Sequence, residues 1–219
     1  MSVEPTQKNE AGPKISAVIL ALNEEKTIGE IVSEALLHVD EVVVVDDGGT
    51  DDTGKLAEQS GAKVIRNESN MGILQSLRKG ISAANGDIIV TLDGDGQHSP
   101  HDIPAMLEPI LEGRADLVMG RRPDMPHFSE KIISRLTKLK VDISDASTGF
   151  RAIKASVAKE MSFHGTCACG TFILEAYSLG ARITEVPISI REREHGERRI
   201  QTKHFYQALY VLYDLIRYA

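Results

Sequence analysis

The sequence predicts an α/β fold built on a doubly wound, mostly parallel β-sheet. From Lys14 onward, short runs rich in isoleucine and valine alternate with stretches whose apolar residues recur at helical spacing. Several of the runs end in acidic residues or glycine, as strands do where a parallel sheet presents its ligand-binding edge. A chain of 219 residues is long enough to bury the core of one such domain.

The first half of the chain carries the regular part of this alternation. We predict five strands, at residues 15–22, 41–45, 62–66, 87–92 and 115–119. Four helices lie between them, at residues 24–38, 52–59, 73–84 and 100–112. The last three helices are followed by the stop signals Gly61, Asn85-Gly86 and Gly113.

The alternation breaks after Arg121. A basic amphipathic segment at residues 129–140 precedes an irregular stretch at 141–150, where a substrate-specific region would be inserted. Regularity then returns with a helix at 171–179, a strand at 182–190 and a final amphipathic helix at 203–219.

Composition excludes several classes of protein. The net charge of -7 argues against a nucleic-acid-binding protein, because affinity for a phosphate backbone requires a positive face. No apolar run approaches the roughly 20 residues that span a bilayer. Residues 1–13 are polar and lack the apolar centre of a signal peptide, so we predict a disordered lead and a cytoplasmic protein.

The two cysteines agree with a reducing location. Cys167 and Cys169 are spaced too closely for an easy disulfide. Even with His164 they lack a fourth ligand for a structural zinc site. We therefore interpret them as packed thiols.

Asp93-Gly94-Asp95 is the most informative of the strand ends. Two carboxylates that flank a small residue after a strand can hold one hard cation and leave positions open for phosphate oxygens. Gln97 could add a neutral oxygen ligand. The alternative is a plain turn, because aspartate and glycine are common turn residues.

Asp46-Asp47 also follows a strand and precedes Gly48-Gly49, so a sharp turn would present a carboxylate to a ribose hydroxyl or a base edge. A turn that caps the next helix is again the alternative. A dinucleotide-binding fold would carry Gly-X-Gly-X-X-Gly after the first strand, where this chain has Ala21-Leu22-Asn23-Glu24. The simplest oxidoreductase interpretation is thereby removed.

Taken in order, the motifs resemble those of the family 2 glycosyltransferases of the GT-A fold, within them the dolichol-phosphate mannose or glucose synthase branch. The resemblance covers nearly the whole chain after Lys14. It rests on Ala-Leu-Asn-Glu at 21–24, Val-Val-Asp-Asp-Gly at 44–48, Asn-Met-Gly at 70–72, Leu-Asp-Gly-Asp-Gly-Gln-His at 92–98, Gly-Arg at 120–121, Ser-Arg at 134–135, Asp-Ala-Ser-Thr-Gly-Phe-Arg at 145–151, Glu-Val-Pro-Ile at 185–188 and Arg-Glu-His-Gly at 193–196.

The resemblance implies a role for each matching residue. Those expected beside the nucleotide are Leu20, Leu22, Glu24, Asp47, Gly72, Asp93 and Arg193. Those expected around Mg²⁺ or Mn²⁺ are Asp93, Asp95 and Gln97, and those on the acceptor side are Arg121, Arg135, Arg151 and Arg199. Catalytic roles fall to Asp93, Asp95 and Asp145, the last as general base for a hydroxyl acceptor.

The resemblance also implies a division of the chain. Residues 14–122 would bind the nucleotide sugar and the metal, and residues 123–202 the acceptor. The helix at 203–219 would follow the resulting domain, 14–202.

Some positions depart from the family pattern. Leu22 stands where many relatives have an aromatic residue, Gly49 replaces the usual serine, and Arg198-Arg199 replace Ser-Lys. Because these positions surround the donor base and the acceptor, the reaction class is expected to hold more firmly than the substrate.

The implied reaction is transfer of mannose or glucose, with inversion, from a GDP- or UDP-linked sugar to a polyprenyl or dolichyl phosphate. A soluble hydroxyl acceptor, a sugar nucleotidyltransferase and a non-catalytic nucleotide-sugar-binding protein are the alternatives. The tyrosine-rich helix at 203–219 would contact the cytoplasmic face of a membrane, although such a helix can also pack on its own core, a second copy or a membrane protein.

Overall fold

A computed structural model of the chain describes residues 12–125, 127–191 and 203–218. Its strands are β1 Ile15–Ala21, β2 Glu41–Asp46, β3 Lys63–Arg66, β4 Ile88–Asp93, β5 Leu117–Arg121, β6 Arg151–Lys154 and β7 Ile183–Pro187. They form one sheet in the order β3-β2-β1-β4-β6-β5-β7. The helices are α1 Ile28–Ala35, α2 Thr53–Gln59, α3 Ile73–Ala83, α4 Ile103–Leu111, α5 Phe128–Thr137, α6 Ala155–Ala158, α7 Thr171–Ser178 and α8 Lys203–Arg217, with a 3-10 turn at Pro100–Asp102.

The sheet is mostly parallel, which confirms the predicted fold class. β1 pairs in parallel with β2 and β4, β2 with β3, and β5 with β7. Only one described strand, β6, runs the other way, and it pairs antiparallel with both β4 and β5. The carboxyl ends of β1, β2, β4 and β5 therefore lie at one edge of the sheet, as the sequence predicted.

Helices cover both faces of this sheet, so its central strands are nearly continuous runs of buried apolar residues. Val18 and Ile19 belong to separate hydrophobic clusters on the two faces. α3 packs especially close to β1, since a Cβ atom at Gly80 would lie 2.3 Å from Cγ1 of Val18. Within the described residues, no helix has the length and apolar character that a membrane crossing requires.

The sequence prediction missed one strand and misplaced several boundaries. β6 was missed altogether, because four residues that follow an irregular stretch give too short a pattern to recognise. The first helix begins at Ile28 rather than residue 24, because the chain turns through Asn23, whose φ is 58°, and Thr27 Oγ1 donates to the Gly94 carbonyl over 2.7 Å. The last strand ends at Pro187 rather than residue 190.

The reversed strand β6 determines what lies at the ligand-binding edge. Its first residue, Arg151, is in register with Thr91 of β4 and Met119 of β5. Because β6 runs antiparallel, it starts where its neighbours end. The segment 145–150, predicted as irregular, is thereby brought next to Asp93.

The predicted lead, residues 1–13, falls almost entirely outside the described residues, as do Arg193 and Arg199. The division of the chain into residues 14–122 and 123–202 stays a prediction.

Candidate active site

The Asp93-Gly94-Asp95 turn is hydrogen-bonded to the end of β1 and packs closely against it. Gly94 N donates to the Leu20 carbonyl over 2.8 Å, and a Cβ atom on Gly94 would lie 2.9 Å from that of Ala21. The backbone of Gln97 donates to Asp95 Oδ1 over 3.1 Å. The turn is therefore a tightly packed element at the sheet edge, and both carboxylates remain partly exposed beside it.

Gly149 makes room for the Asp93 carboxylate. A Cβ atom at Gly149 would lie 2.3 Å from Asp93 Oδ2, and the Gly149 carbonyl is held by Thr91 Oγ1 over 2.7 Å. The segment before β6 thus leaves a space that Asp93 fills. With Asp95 and Gln97, the turn supplies an all-oxygen set of the kind that Mg²⁺ and Mn²⁺ prefer.

His98 lies buried behind this turn. Its Nδ1 is 3.7 Å from Asp93 Oδ2, and its ring packs 5.5 Å from that of Phe150. Burial lowers the pKa of His98 to about 4, although the nearby Asp95 opposes the shift. His98 is therefore neutral at physiological pH and adds no positive charge to the site.

Asp47 orders a loop beside the carboxyl end of β2. Its Oδ1 accepts hydrogen bonds from Asn67 Nδ2 and Met71 N, both over 2.8 Å, and its Oδ2 accepts one from Gly72 N over 2.9 Å. Gly48 lets the two loops touch, because a Cβ atom there would lie 2.4 Å from the Ser69 carbonyl carbon. Asp47, expected to contact a base or ribose, binds the 70–72 loop in this structure.

We expect Asp47→Ala to weaken nucleotide binding by about tenfold or more, because three hydrogen-bond donors lose their acceptor and the loop at the donor edge loosens. The bound complex should react at a nearly unchanged rate, since the loop contact is shared by ground and transition states. Calorimetric titration with nucleotide measures the affinity. Asp52→Ala is the control, since that carboxylate is exposed and pairs with Lys55 at the surface; equal affinities in the two variants would contradict the prediction.

The other donor-side predictions lie around the β1 end. Leu20 is in register with Val45 and Asp93, and Leu22 and Glu24 follow in the turn that precedes α1. The Glu24 backbone donates to Thr53 Oγ1 over 2.8 Å, which ties this turn to the start of α2. The structure thus brings these residues to the same edge as Asp47 and the Asp93 turn.

Asp145 is engaged in a buried ion pair. Arg122 Nε donates to its Oδ2 over 2.7 Å and Arg122 Nη2 to its Oδ1 over 3.0 Å, while Ser147 N also donates to Oδ1. Burial alone would lower the pKa of Arg122, but the hydrogen bond and charge of Asp145, with the charge of Glu130, raise it. The role of Asp145 as a general base stays a prediction, and this pairing favours a positioning role for it instead.

A basic cavity opens beside this ion pair. It has a volume of about 520 Å³, and its charged lining residues are Arg121, Arg122, Lys131, Asp124 and Asp145, with Lys131 Nζ 3.7 Å from Asp124 Oδ1. Arg121 is exposed, with its Nη1 3.3 Å from Glu185 Oε1. The cavity therefore offers cationic groups to an anionic ligand at the carboxyl end of β5.

Of the remaining predicted arginines, the structure describes Arg151 and Arg135, and their environments differ. Arg151 is buried, with its guanidinium 4.5 Å above the ring of Phe172; burial lowers its pKa, while charge on Cys169 and Asp93 opposes that shift. Arg135 is exposed in the last turn of α5. Arg191 N donates to the Gln97 carbonyl over 2.9 Å, whereas Arg193 and Arg199 lie outside the described residues.

The sequence interpretation assigned no role to Arg122, His98 or Gly149. Arg122 follows the motif residue Arg121 directly, and Gly149 lies inside the Thr-Gly-Phe-Arg motif, so adjacency to a motif was the available signal. His98 was noticed only as a neighbour of Gln97. Its burial depends on β6 and on the bridge to Ile190, which no local pattern predicts.

Comparison with known proteins supports one family. The model described as glycosyl transferase family 2 matches residues 16–168. An uncharacterized protein of Methanocaldococcus jannaschii is 36% identical over 212 residues, which cover 85% of this chain and 92% of that protein. The dolichol-phosphate mannosyltransferase of Pyrococcus furiosus is 29% identical over 231 residues, which cover 94% of this chain and 64% of that longer protein.

Solved structures share the architecture. Glucosyl-3-phosphoglycerate synthase from Mycobacterium tuberculosis, in complex with Mn²⁺, uridine diphosphate and glucosyl-3-phosphoglycerate, aligns with a TM-score of 0.75. The identity is 23%, and the alignment covers 100% of this chain and 86% of that one. At this identity, the likeness shows a common fold.

Proposed function

The chain belongs to glycosyl transferase family 2, and on this premise we propose that it moves a hexose from a nucleoside diphosphate sugar to a polyprenyl phosphate. The hexose is mannose or glucose, the donor carries GDP or UDP, and the anomeric carbon is inverted in a single displacement. The supporting observation is that one sheet edge carries both the Asp93 turn and the cavity lined by Arg121, Arg122 and Lys131. Oxygen ligands and cationic groups thus lie on the donor and acceptor sides of one site.

A divalent cation fits the donor side. Asp93, Asp95 and Gln97 would hold Mg²⁺ or Mn²⁺, and the space opposite Gly149 gives the Asp93 carboxylate its place. Mn²⁺ accompanies uridine diphosphate in the mycobacterial synthase. When bound, the cation would neutralise negative charge on the diphosphate leaving group.

Side chains of the protein bound the nucleotide side of the site and orient the acceptor. The loop at 70–72, held by Asp47, bounds the nucleotide side. Arg121 and Lys131 attract and orient the acceptor phosphate, while Asp145 fixes the Arg122 guanidinium. A phosphate oxygen is already anionic and attacks without a general base, which agrees with the buried pairing of Asp145.

The acceptor side adjoins a surface suited to a membrane. On α8, the buried stripe Gln207, Val211 and Asp214 packs toward the core. The opposite face exposes Tyr206, Leu209, Tyr210, Leu212, Tyr213 and Ile216. The neighbouring helix α5 adds the exposed apolar Phe128 and Ile132 together with the basic Lys131 and Arg135. Aromatic, aliphatic and basic groups together match the interface of an anionic bilayer.

We expect the chain to float with vesicles of anionic phospholipid that contain a polyprenyl phosphate, and Leu209→Ser with Ile216→Ser to reduce the bound fraction about tenfold. Both residues lie on the exposed face, so the fold should survive their replacement. The matched control is Leu37→Ser, an equally exposed leucine at the end of α1 (72%). Membrane docking would be refuted if the parent chain, the double variant and the control floated to the same extent, or if the parent chain did not float.

The alternatives differ in what they consume. A soluble phosphorylated acceptor is favoured by the fold shared with the phosphoglycerate-dependent synthase and by the same basic cavity. A screen of nucleotide sugars against a polyprenyl phosphate and 3-phosphoglycerate, with and without a chelator, tests the proposal. Transfer only to 3-phosphoglycerate would show that the acceptor is soluble and not a lipid. Pyrophosphate release from a nucleoside triphosphate would indicate a nucleotidyltransferase. Binding of a nucleotide sugar without turnover would indicate a non-catalytic protein.

A further inference from the structure

The loop formed by residues 164–170, here called the thiol loop, contains the two cysteines of the chain. Cys167 and Cys169 are both reduced and partly exposed. One residue separates them in the sequence, and hydrogen bonding with Cys169 lowers the pKa of Cys167. The spacing that argues against an easy structural disulfide still leaves the two thiols near each other on a partly exposed loop, so a bond between them would form under strain.

Helix α8 holds the thiol loop in this shape. Gln207, which is fully buried, accepts hydrogen bonds at Oε1 from the backbones of Thr166 and Cys167, over 2.9 and 3.1 Å. Its Nε2 donates to the Cys169 carbonyl over 2.7 Å. Because one side chain binds both cysteine residues, their backbones cannot separate without breaking these contacts.

The surroundings of Cys167 favour its reactive form. The hydrogen bond from Cys169 lowers the pKa of Cys167, and the nearby Arg151 guanidinium also lowers it, while burial acts in the opposite direction. The thiolate is the form that attacks disulfides. Cys167 is therefore suited to the first attack, and Cys169, two positions along the same loop, can act as the resolving thiol.

The thiol loop is hydrogen-bonded to the segment that contains Asp145, on the side proposed to bind the acceptor. Gly170 N donates to the Ala146 carbonyl over 3.0 Å, next to the Asp145 that fixes Arg122. The backbone at Gly170 is tightly constrained, because its φ is 75° and a Cβ atom there would lie 2.7 Å from Val211 Cγ2. A change in the backbone at Cys169 is thereby passed to the residue beside Asp145.

We propose that Cys167 and Cys169 form a reversible intramolecular disulfide, by exchange with a small-molecule disulfide, and that this bond slows the glycosyl transfer proposed above. The Cys167 thiolate attacks one sulfur of the small disulfide and expels one small thiol. Cys169, losing its proton, attacks the Cys167 sulfur and expels the second. The protein loses two electrons and two protons, and the small disulfide gains both as two thiols.

The close spacing makes this bond a switch rather than a structural crosslink. Cysteines separated by one residue close a strained ring, and strained disulfides are the easily reduced ones. The strain of this ring acts through the Gly170 backbone on the side of the site proposed to bind the acceptor.

The test exposes the full chain to glutathione disulfide and measures thiols, mass and transfer rate. We expect loss of both thiols with no glutathione retained, and a roughly tenfold slower transfer, the scale of one lost positioning hydrogen bond, restored by dithiothreitol. Cys169→Ser should stop as a mixed disulfide that keeps one glutathione. The double variant with serine at both positions should keep its basal rate and become insensitive.

Thiol titration and mass need no substrate, so they separate this inference from the proposed function. Faster deuterium exchange at Gly170 in the oxidised chain would report the link to Ala146 even without a known donor. Thiols that stay titratable, two retained glutathiones, or a disulfide that leaves both exchange and transfer unchanged would each overturn the proposal.

Discussion

Asp95→Asn and Asp93→Asn are each expected to slow glycosyl transfer by about 10³-fold, because neither amide replaces the charge that a cation and a departing diphosphate require. Stability should change by no more than about 0.5 kcal/mol, since both carboxylates lie partly exposed at a strand end. Initial rates at saturating donor and acceptor give the effect, and thermal unfolding checks the fold.

The control for the loss of charge is a carboxylate-to-amide substitution outside the candidate site. Glu58→Gln removes one carboxylate from the exposed side of α2 and should leave the rate unchanged. Titration with Mn²⁺ separates binding from chemistry, because high metal concentration should partly rescue a weakened site. Full activity in a chelator, or near-normal turnover in both aspartate variants, would remove the metal from the mechanism.

Asp145→Asn is expected to lower the free energy of unfolding by about 3 kcal/mol, because the Arg122 guanidinium would remain buried without its bidentate partner. Transfer should fall as well, since Arg122 lines the acceptor cavity. Arg122→Lys keeps a charge near Glu130 but loses the two parallel hydrogen bonds, so it should lie between the parent chain and Asp145→Asn in stability. Denaturant unfolding measures all three proteins.

The matched control is an exposed ion pair on the same half of the chain. Asp142, 93% exposed, pairs with Lys138 over 3.3 Å. Asp142→Asn should change stability by less than about 0.5 kcal/mol, as exposed pairs do. If Asp145→Asn were no more destabilising than this control, the ion pair between Asp145 and Arg122 would not contribute to the free energy of unfolding. The proposed positioning role of Asp145 would then be wrong.

The position of the acidic strand ends was largely predictable from the sequence. Strand runs such as Glu41–Asp46 and Ile88–Asp93 are marked by continuous apolar residues, and the acidic residues that end them are local features of the chain. Parallel strands place their carboxyl ends at one edge, so recognising the strands was enough to place Asp47 and Asp93 together. What Asp47 binds was not predictable, because its partner loop lies more than 20 residues away.

The acceptor side depended on long-range pairing. β6 is four residues long, and only its position between β4 and β5 brings Gly149 against Asp93 and Arg151 under the site. The partners of Asp145 and of Gln207 are likewise distant along the chain, Arg122 in one case and the thiol loop in the other. Side-chain periodicity carries no information about such contacts.

The sequence by itself thus determined the fold class and the acidic turn, because both arise from repeats and turns within a few residues. Helix α8 shows the limit: its composition predicted an amphipathic helix, and the structure buries one stripe through Gln207 and Asp214 and leaves the other exposed, while contact with a membrane stays a prediction. Only the tertiary structure decided which stripe faces the core. The reason is that burial depends on the surfaces of α5 and α7, which the helix meets only after the chain has folded.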